Sequence, residues 1–390
     1  MQEFDVIVIG AGPAGCSAAL YSAKFGLKTL LLEEHKTIGK PVHCGECLSE
    51  LAIQRLGMNF PKEVISKEVN GVRVIFPGKK SFYVKEKGFV LEKHKFEQWI
   101  AGEAEKNGAQ KRLNSKVTDA VRQNNSWKVK CYDKTEFNAK ILIDATGSAS
   151  FLSAKLNLNK RFESVIGMQY ELKDIPETGY LDFFLWPKLA PDGYLWMIPK
   201  SGGRANVGLV TNQKNKAKFF LDEFIKEMKW ENKIVVKTFG GLIPCSGPME
   251  KTFDSGLILV GDAAGFTSPM FEGGTSLGLT SGKFAAQVAK KAVEKNDFSK
   301  ETLSEYERLW KKEFPDYSEI LKGRTALYNF SDKELDFIAG FLPENVGEVS
   351  AIEKITMVLR LLIQKPGFIF KGIIPATKAF GYSQAKHYGW

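Results

Sequence analysis

The chain lacks several features that would place it in a specialised class of protein. It has no apolar run of the ~18 residues expected of a membrane-spanning helix, and no internal repeat or low-complexity tract. Its five cysteines, an odd number in 390 residues, argue against a disulfide framework and indicate a reducing, cytoplasmic compartment. Because the first residues are polar and acidic, we expect no signal peptide. The composition, 44% apolar and 12% aromatic, predicts a globular protein of two or three domains or subdomains.

Positive charge exceeds negative charge, with 55 Lys and Arg against 45 Asp and Glu. No nucleic-acid-binding motif accompanies this excess, so we expect no nucleic-acid partner. Residues 351–390 hold six Lys or Arg and a single acid, Glu353, interleaved with apolar residues and broken at Pro366 and Pro375. Two interpretations of this basic amphipathic segment stay open: a helical subdomain packed on the body, or peripheral association with a membrane surface.

The first 33 residues predict a dinucleotide-binding strand, turn, helix and strand. An apolar run ends in G-x-G-x-x-G, and a second apolar run, TLLL, ends in a carboxylate. The first glycine allows a tight turn, the second lets the backbone approach a pyrophosphate, and the third lets helix and strand pack closely. The helix N-terminus favours the phosphates, and the carboxylate can accept bonds from a ribose. The predicted cofactor-binding residues here are Gly10, Gly12, Pro13, Ala14, Gly15 and Glu33.

Two further segments indicate which dinucleotide the chain binds. Residues 257–269, LILVGDAAGFTSP, place Gly261 and Asp262 after an apolar strand, where the acid can bind the ribityl hydroxyls of a flavin. Residues 141–147, ILIDATG, form another strand that ends in small residues. In this order the three segments resemble the large FAD family of aromatic hydroxylases, halogenases and geranylgeranyl reductases. The resemblance implies FAD as the cofactor, with further contacts from Cys44, Gly45, Cys47, Lys93, Val117, Gly273, Gly274 and Thr275.

Three other segments are similar to those of the archaeal-type geranylgeranyl reductases, the digeranylgeranylglycerophospholipid reductase-like enzymes. They are PVHCGECLS at 41–49, YLWMIPK at 194–200 and PMFEGGTSLGLTSG at 269–282. This chain departs from the family at Ile198, where a Phe is usual, and at Glu272, which stands at the first position of a Gly-Gly-Gly run. The resemblance implies FAD-dependent saturation of isoprenoid double bonds in geranylgeranyl-type precursors of membrane lipids.

The expected fold is α/β, with a p-hydroxybenzoate-hydroxylase-like arrangement. A discontinuous Rossmann-like FAD-binding domain is predicted for residues 1–70, 93–160 and 240–300. An antiparallel sheet that binds substrate is predicted for residues 71–92 and 161–239, inserted into the first domain. Residues 301–390 are predicted to form a helical C-terminal subdomain.

The inserted sheet supplies the candidate substrate residues. Its aromatic side chains could form an apolar tunnel, and its basic residues, including Arg204, could hold an anionic headgroup. Reducing an isolated alkene also requires a hydride on one carbon and a proton on the other, in a dry pocket. The predicted substrate residues are Tyr170, Phe184, Tyr194, Trp196 and Lys200. The predicted catalytic residues are Cys44, Glu46, Tyr194 and Trp196.

Other functions stay open at this level. Cys44-x-x-Cys47 could exchange electrons between flavin and thiols, and a flavoprotein that only transfers electrons is a further alternative. Trp196-x-Ile198-Pro199 matches half of the Trp-x-Trp-x-Ile-Pro motif of flavin halogenases, which favours a monooxygenase or halogenase as a rival. A metal site is not expected, because no second ligand pair accompanies the cysteines. Since no second glycine-rich motif follows residue 150, we expect an external electron donor, either ferredoxin or a diffusible hydride carrier.

Overall fold

A computed structural model describes residues 2–346, 349–388 and 390 of the chain. In chain order, the elements up to residue 160 are β1 Gln2–Ile9, α1 Pro13–Lys24, β2 Thr29–Leu32, β3 Cys47–Ser49, α2 Glu50–Leu56, β4 Ile65–Val69, β5 Val72–Ile75, β6 Ser81–Val84, β7 Gly88–Leu91, α3 Lys93–Lys106, β8 Gln110–Arg112, β9 Val117–Gln123, β10 Ser126–Cys131, β11 Glu136–Asp144 and α4 Phe151–Lys155. The later elements are β12 Ser164–Leu172, β13 Leu181–Phe184, β14 Tyr194–Lys200, β15 Arg204–Thr211, α5 Ala217–Glu227, β16 Val235–Pro244, β17 Phe253–Asp254, β18 Leu257–Leu259, α6 Thr275–Lys295, α7 Lys300–Leu303, α8 Glu305–Glu313, α9 Tyr317–Tyr328, α10 Asp332–Ala339, α11 Ala351–Gln364, α12 Phe368–Lys371 and α13 Ile373–Tyr382.

The first sheet has the order β17-β18-β11-β1-β2-β8, with the β9–β10 hairpin attached to β11. Strand β1 pairs in parallel with both β2 and β11, and β11 pairs in parallel with β18. Their apolar side chains are almost wholly buried because helices α1, α3 and α6 cover the sheet. The three glycine- and acid-bearing segments of the sequence therefore end at the same carboxyl edge of one sheet, where α/β proteins bind their ligands.

The second sheet has the order β16-β12-β15-β14-β13-β5-β6. All of its pairings are antiparallel except that of β13 with β5, which is parallel. The sheet was expected to be antiparallel throughout. The exception arises because β5 and β13 belong to separate passes of the chain, which enter the sheet from the same end. Strand β16 crosses residue 240, the position at which the sequence predicts a return to the first domain.

Strand parity divides the second sheet into two faces. One face packs Phe184, Trp186 and Leu195 against Phe224 of α5. The opposite face turns Phe183, Tyr194 and Trp196 toward the first sheet. A small third sheet, β3-β7-β4, lies between the two larger ones and carries the 44–47 segment into β3.

Helices α7–α13 complete the fold, as expected for a helical C-terminal region. Helices α9 and α13 approach so closely that a Cβ added at Gly323 would lie 2.1 Å from the Ala379 Cβ. Glycine is therefore required at this crossing. Among the described residues, no helix is both long enough and apolar enough to cross a bilayer.

Candidate active site

A cavity of about 780 Å³ lies between the carboxyl edge of the first sheet and the inner face of the second. Its walls combine the glycine-rich turn after β1, the 39–47 segment, the inner strands β12–β14 and the start of α6. Many of the predicted cofactor and catalytic residues meet there, although they are up to 265 positions apart in the chain (residues 10 and 275). A large concave site at this edge of a parallel sheet is the usual place for a bound nucleotide.

The glycine-rich turn meets the requirements of a dinucleotide site. Gly10 has a φ of +99°, and a Cβ there would lie 2.5 Å from the Ala145 carbonyl oxygen. A Cβ on Gly15 would lie 1.9 Å from the Gly10 carbonyl oxygen, so helix and strand could not pack. At Gly12, by contrast, a Cβ would meet nothing within 4 Å, and the residue lines the cavity. This open space is where a pyrophosphate can approach the backbone, at an α1 N-terminus that has no side-chain cap.

Glu33 closes the nucleotide end of the cavity. Its Oε2 accepts a hydrogen bond of 2.8 Å from the Ala11 amide. Its Oε1 accepts a bond of 2.9 Å from the His35 amide and lies 2.6 Å from the His35 ring Nδ1. A carboxylate has about four acceptor positions, so Glu33 is held rigidly and retains capacity for a ribose hydroxyl.

Asp262 occupies the cavity wall next to the start of α6. Gly261 before it has a φ of +57°, and Asp262 Oδ1 accepts a 3.0 Å bond from the Thr267 hydroxyl. Burial raises the pKa of Asp262, against the opposing effect of that hydrogen bond. Helix α6 begins after Gly274 with no side-chain cap, as α1 does after Gly12. Two helix N-termini therefore offer amide donors to one cavity, and these residues fit a flavin dinucleotide, with Glu33 and Asp262 placed to bind its hydroxyls.

The 44–47 segment is fastened to the inner face of the second sheet by a short chain of hydrogen bonds. Trp196 Nε1 donates to Gln169 Oε1 at 3.0 Å, and Gln169 Nε2 donates to the Cys44 carbonyl at 2.8 Å. The indole of Trp196 packs against Gly208. A Cβ at that position would lie 2.5 Å from the indole, so a larger residue would displace it. Sequence reasoning did not identify Gln169, although its alternation with Tyr170 on β12 places it on the same face as Trp196.

Glu46 lies at the centre of a buried polar cluster. One carboxylate oxygen accepts 2.6 Å and 2.7 Å bonds from Lys200 Nζ and Asn206 Nδ2, and the other accepts a 2.9 Å bond from the Lys93 amide. Its backbone has a φ of +72°. Through these bonds Glu46 holds the 44–47 segment in place, and its predicted catalytic role stays a prediction. Lys93, a predicted cofactor contact, lines the cavity with its Nζ 3.1 Å from Glu97 Oε1.

The headgroup role expected of Lys200 and Arg204 needs correction. Lys200 Nζ lies 2.6 Å from Glu46 and 3.3 Å from Glu92, and Arg204 bonds to Glu92 at 2.6 Å and to Glu171 at 2.9 Å. Burial acts to raise the pKa of Glu92, yet Arg204 and Lys200 together lower it to about 2. Both cations are ion-paired with carboxylates of the protein, and neither lines the cavity.

The tunnel role expected of Tyr170 and Phe184 also needs correction. Both lie on the outer face of the second sheet, where the Tyr170 hydroxyl donates 2.8 Å to Asp222 on α5 and Phe184 packs against Trp186. Successive side chains of a strand point to opposite faces, so the neighbouring Phe183 takes the inner position. Of the predicted substrate residues, the structure brings Tyr194 and Trp196 to the cavity.

Glu272 lines the same cavity at the apolar end. Its backbone is left-handed, with a φ of +47°; neither carboxylate oxygen has a hydrogen-bond partner among the described residues, and Arg324 lies 3.8 Å away. Burial raises the pKa of Glu272 to about 8, against the lowering effect of Arg324. The Tyr194 hydroxyl donates instead to the Phe271 carbonyl at 2.7 Å. A buried carboxyl group with a raised pKa therefore lines the cavity, at a residue whose sequence signal was its departure from a glycine run.

The two cysteines of the 44–47 segment are both reduced and line the cavity. Burial raises the pKa of the Cys47 thiol well above its usual value. Thiol–disulfide exchange requires a thiolate, so this environment disfavours the thiol-exchange alternative. Other predicted cofactor contacts also line the cavity: Pro13, Ala14, Gly45, Val117, Gly273, Gly274 and Thr275.

The fold and the site define a flavin-dependent oxidoreductase. A family model described as "Lycopene cyclase protein" matches residues 5–335. The digeranylgeranylglycerophospholipid reductase of Methanocaldococcus jannaschii is 35% identical over 95% of this chain and 98% of its own length. The enzyme of the same name from Thermoplasma volcanium is 34% identical over 91% of this chain and 95% of its own. The chain therefore belongs both to the family of the lycopene cyclase model and to the digeranylgeranylglycerophospholipid reductase family.

Solved structures agree with this assignment. A geranylgeranyl bacteriochlorophyll reductase-like protein from Thermoplasma acidophilum superposes with a TM-score of 0.85 at 29% identity, covering 94% of this chain and all of the other. A flavin-dependent brominase superposes with a TM-score of 0.74 at 20% identity, covering 98% of this chain and all of the other. The second likeness shows the fold alone. The expected fold class and family are thus confirmed.

Proposed function

We propose that this protein binds FAD and uses it to saturate the isoprenoid double bonds of geranylgeranyl-type membrane-lipid precursors. The observation that carries the proposal is the single cavity in which a dinucleotide-binding edge and an apolar aromatic wall meet. The reductase names of the relatives at 34–35% identity support the same substrate class.

Residues at one end of the cavity would bind the cofactor, and residues at the other end would bind the lipid. Gly12, Glu33 and Asp262 would bind the cofactor, whose flavin supplies a hydride to the alkene when it is reduced. Tyr194 and Trp196 would hold the isoprenoid chain and exclude water, since both are buried and face the cavity. Cys44, fixed through Gln169, would lie beside the reacting carbons as a proton donor.

An external electron donor is part of the proposal. The three sheets among residues 2–346, 349–388 and 390 include one parallel sheet with a glycine-rich turn, and that sheet forms the cofactor site already described. These residues therefore form no second, separate domain of the Rossmann type that could bind NAD(P)H. Ferredoxin or a diffusible hydride carrier would reduce the flavin.

The experiment is anaerobic single turnover. The photoreduced holoenzyme is mixed with a digeranylgeranyl glycerophospholipid, and the flavin absorbance and the lipid mass are followed together. We expect flavin reoxidation and the gain of one hydrogen pair per flavin oxidised, with the fully saturated lipid as a control that produces neither. Absence of reoxidation with every polyprenyl lipid offered would refute the proposal. Oxygen-dependent halogenation or hydroxylation of an aromatic compound would establish the rival function instead.

A further inference from the structure

The C-terminal helices carry an apolar surface that the rest of the protein leaves uncovered. Seven of the fifteen large apolar side chains exposed among the described residues lie between positions 352 and 374. They are Ile352, Ile355, Leu359, Ile363, Ile369, Phe370 and Ile374, and we refer to them together as the apolar ridge.

The ridge is a continuous feature. On α11 its members are spaced by three, four and four residues, the spacing that aligns side chains along one side of a helix. The opposite side of α11 is anchored in the core by Leu361, which is only 3% exposed. The ridge continues onto α12, where Phe370 is 93% exposed and Phe368 is buried against Phe330 and Phe337. These helices therefore have two apolar sides, one packed on the protein and one without a partner in the described residues.

The charge around the ridge indicates what kind of partner binds to this surface. Residues 351–390 contain six basic residues and one acid, Glu353. Lys371 and Lys378 pair with Glu334 and Glu319, while Arg360 and Lys365 lie exposed on or after α11. An exposed apolar stripe flanked by basic residues matches the boundary between headgroups and acyl chains in an anionic membrane. An interface between two copies of this chain would instead bring like charges together.

One of the helices that carry the ridge, α13, also lies behind the apolar end of the cavity. Phe380 of α13 packs 5.9 Å from Phe271, and Phe271 stacks 5.5 Å from Phe183 on the inner face of the second sheet. A small apolar pocket lined by these three residues and Trp390 lies between α13 and the main cavity. Helix α13 thus carries a ridge residue, Ile374, and also borders the pocket behind the apolar end of the active site.

We infer that the apolar ridge is the membrane-docking surface of the protein, which lies on an anionic bilayer with α11 and α12 in the headgroup region. In this orientation the apolar end of the cavity is next to the bilayer from which a lipid is drawn. The inference deepens the proposed function and rests on it only for the identity of that lipid.

The test compares three proteins in sedimentation with vesicles of phosphatidylglycerol or phosphatidylcholine. The wild type should bind phosphatidylglycerol vesicles more tightly, and added salt should weaken its binding. The double variant Ile363→Glu/Phe370→Glu should bind them at least about tenfold more weakly, because burial of one such side chain alone is worth about that factor. The control Phe219→Glu changes a side chain that is 59% exposed on α5 and should bind like the wild type.

Two outcomes would overturn the inference. One is equal vesicle binding by the wild type and the double variant. The other is a wild-type dimer that the double variant converts to a monomer in analytical ultracentrifugation, which would make the ridge a self-interface. Both changed side chains are exposed, so unfolding is not expected, and unchanged thermal melting would verify this. Reduction of a lipid dispersed in detergent micelles should be equal in all three proteins, and loss of that activity in the wild type would reject the proposed function without affecting the docking result.

Discussion

Lys200 Nζ lies 2.6 Å from Glu46 Oε2, and both side chains are 2% exposed although 154 positions separate them. This ion pair joins β14 of the second sheet to the segment that carries Cys44 and Cys47. The sequence suggests a headgroup-binding role for Lys200 and a catalytic role for Glu46. In the structure the two side chains form an ion pair with each other. The pair explains how a loop with a left-handed glutamate is held against a sheet.

Removing one partner of this pair should be costly. Lys200→Met leaves the Glu46 carboxylate buried without its cation, and we expect a loss of about 3–5 kcal/mol in the free energy of unfolding. Urea denaturation of the apoprotein measures it. The double variant Glu46→Gln/Lys200→Met should recover part of the loss. Lys226→Met, which breaks an exposed pair with Glu223, should leave the free energy of unfolding nearly unchanged and is the control.

Glu272 should make stability fall as the pH rises. Its pKa is about 8 in the folded protein and near 4.5 when unfolded, so between these values the native state keeps a proton that the unfolded chain has lost. The stability that depends on this proton is complete below about pH 4.5 and is lost as the pH passes 8. Comparison of the apoprotein with Glu272→Gln should show this contribution, of the order of a few kcal/mol, only in the wild type. Parallel curves for the two proteins would contradict it; exposed Glu294→Gln is the matched control.

Gly12 and Gly15 should respond to substitution in different ways. A side chain at position 12 would enter the open cavity, so Gly12→Val should leave the melting temperature of the apoprotein unchanged while weakening FAD binding by about tenfold or more. A methyl group at position 15 would collide with the Gly10 carbonyl, so Gly15→Ala should lower the melting temperature itself. Fluorescence titration with FAD and calorimetry separate the two effects. Normal FAD affinity in Gly12→Val would argue against the predicted pyrophosphate position.

Cys44→Ser tests the predicted proton donor. A serine hydroxyl is a far weaker acid than a thiol, so we expect alkene reduction in single turnover to slow by about 10²-fold or more. FAD affinity and the rate of flavin photoreduction should stay at wild-type values. Cys131→Ser is the control, because Cys131, the last residue of β10, is buried away from the cavity. An unchanged reduction rate in Cys44→Ser would remove Cys44 from the mechanism.

Gln169 should act as a positioning residue. Gln169→Leu removes both the bond from Trp196 and the bond to the Cys44 carbonyl, so the 44–47 segment should become mobile. We expect a lower single-turnover rate, and faster amide exchange confined to residues 41–47. Tyr170→Phe removes the bond to Asp222 on the outer face and should leave both measurements unchanged. Equal behaviour of the two variants would contradict the assigned role.

Features that depend on local chemistry could be predicted from the sequence. The turn from Gly10 to Gly15, the carboxylate at Glu33 and the Gly261–Asp262 step each need particular residue types at fixed spacing, and each lies where the spacing predicts. Strand alternation likewise separates Phe183 from Phe184 and Gln169 from Tyr170. It does not reveal which of the two sets faces the cavity, because both faces of the second sheet are apolar and both are covered.

The partners of the charged residues and the exposure of the apolar ones depend on how the whole chain folds. The sequence suggests that Lys200 could bind a phosphate, but the fold places Glu46 and Glu92, from distant segments, beside its ammonium group. The pKa of Glu272 is raised because the fold buries its carboxyl group without supplying a hydrogen-bond donor among the described residues. The C-terminal apolar residues divide into a core side and an uncovered ridge only when α11 packs through Leu361. Burial and long-range pairing are properties of the folded chain, and no local pattern of residues contains them.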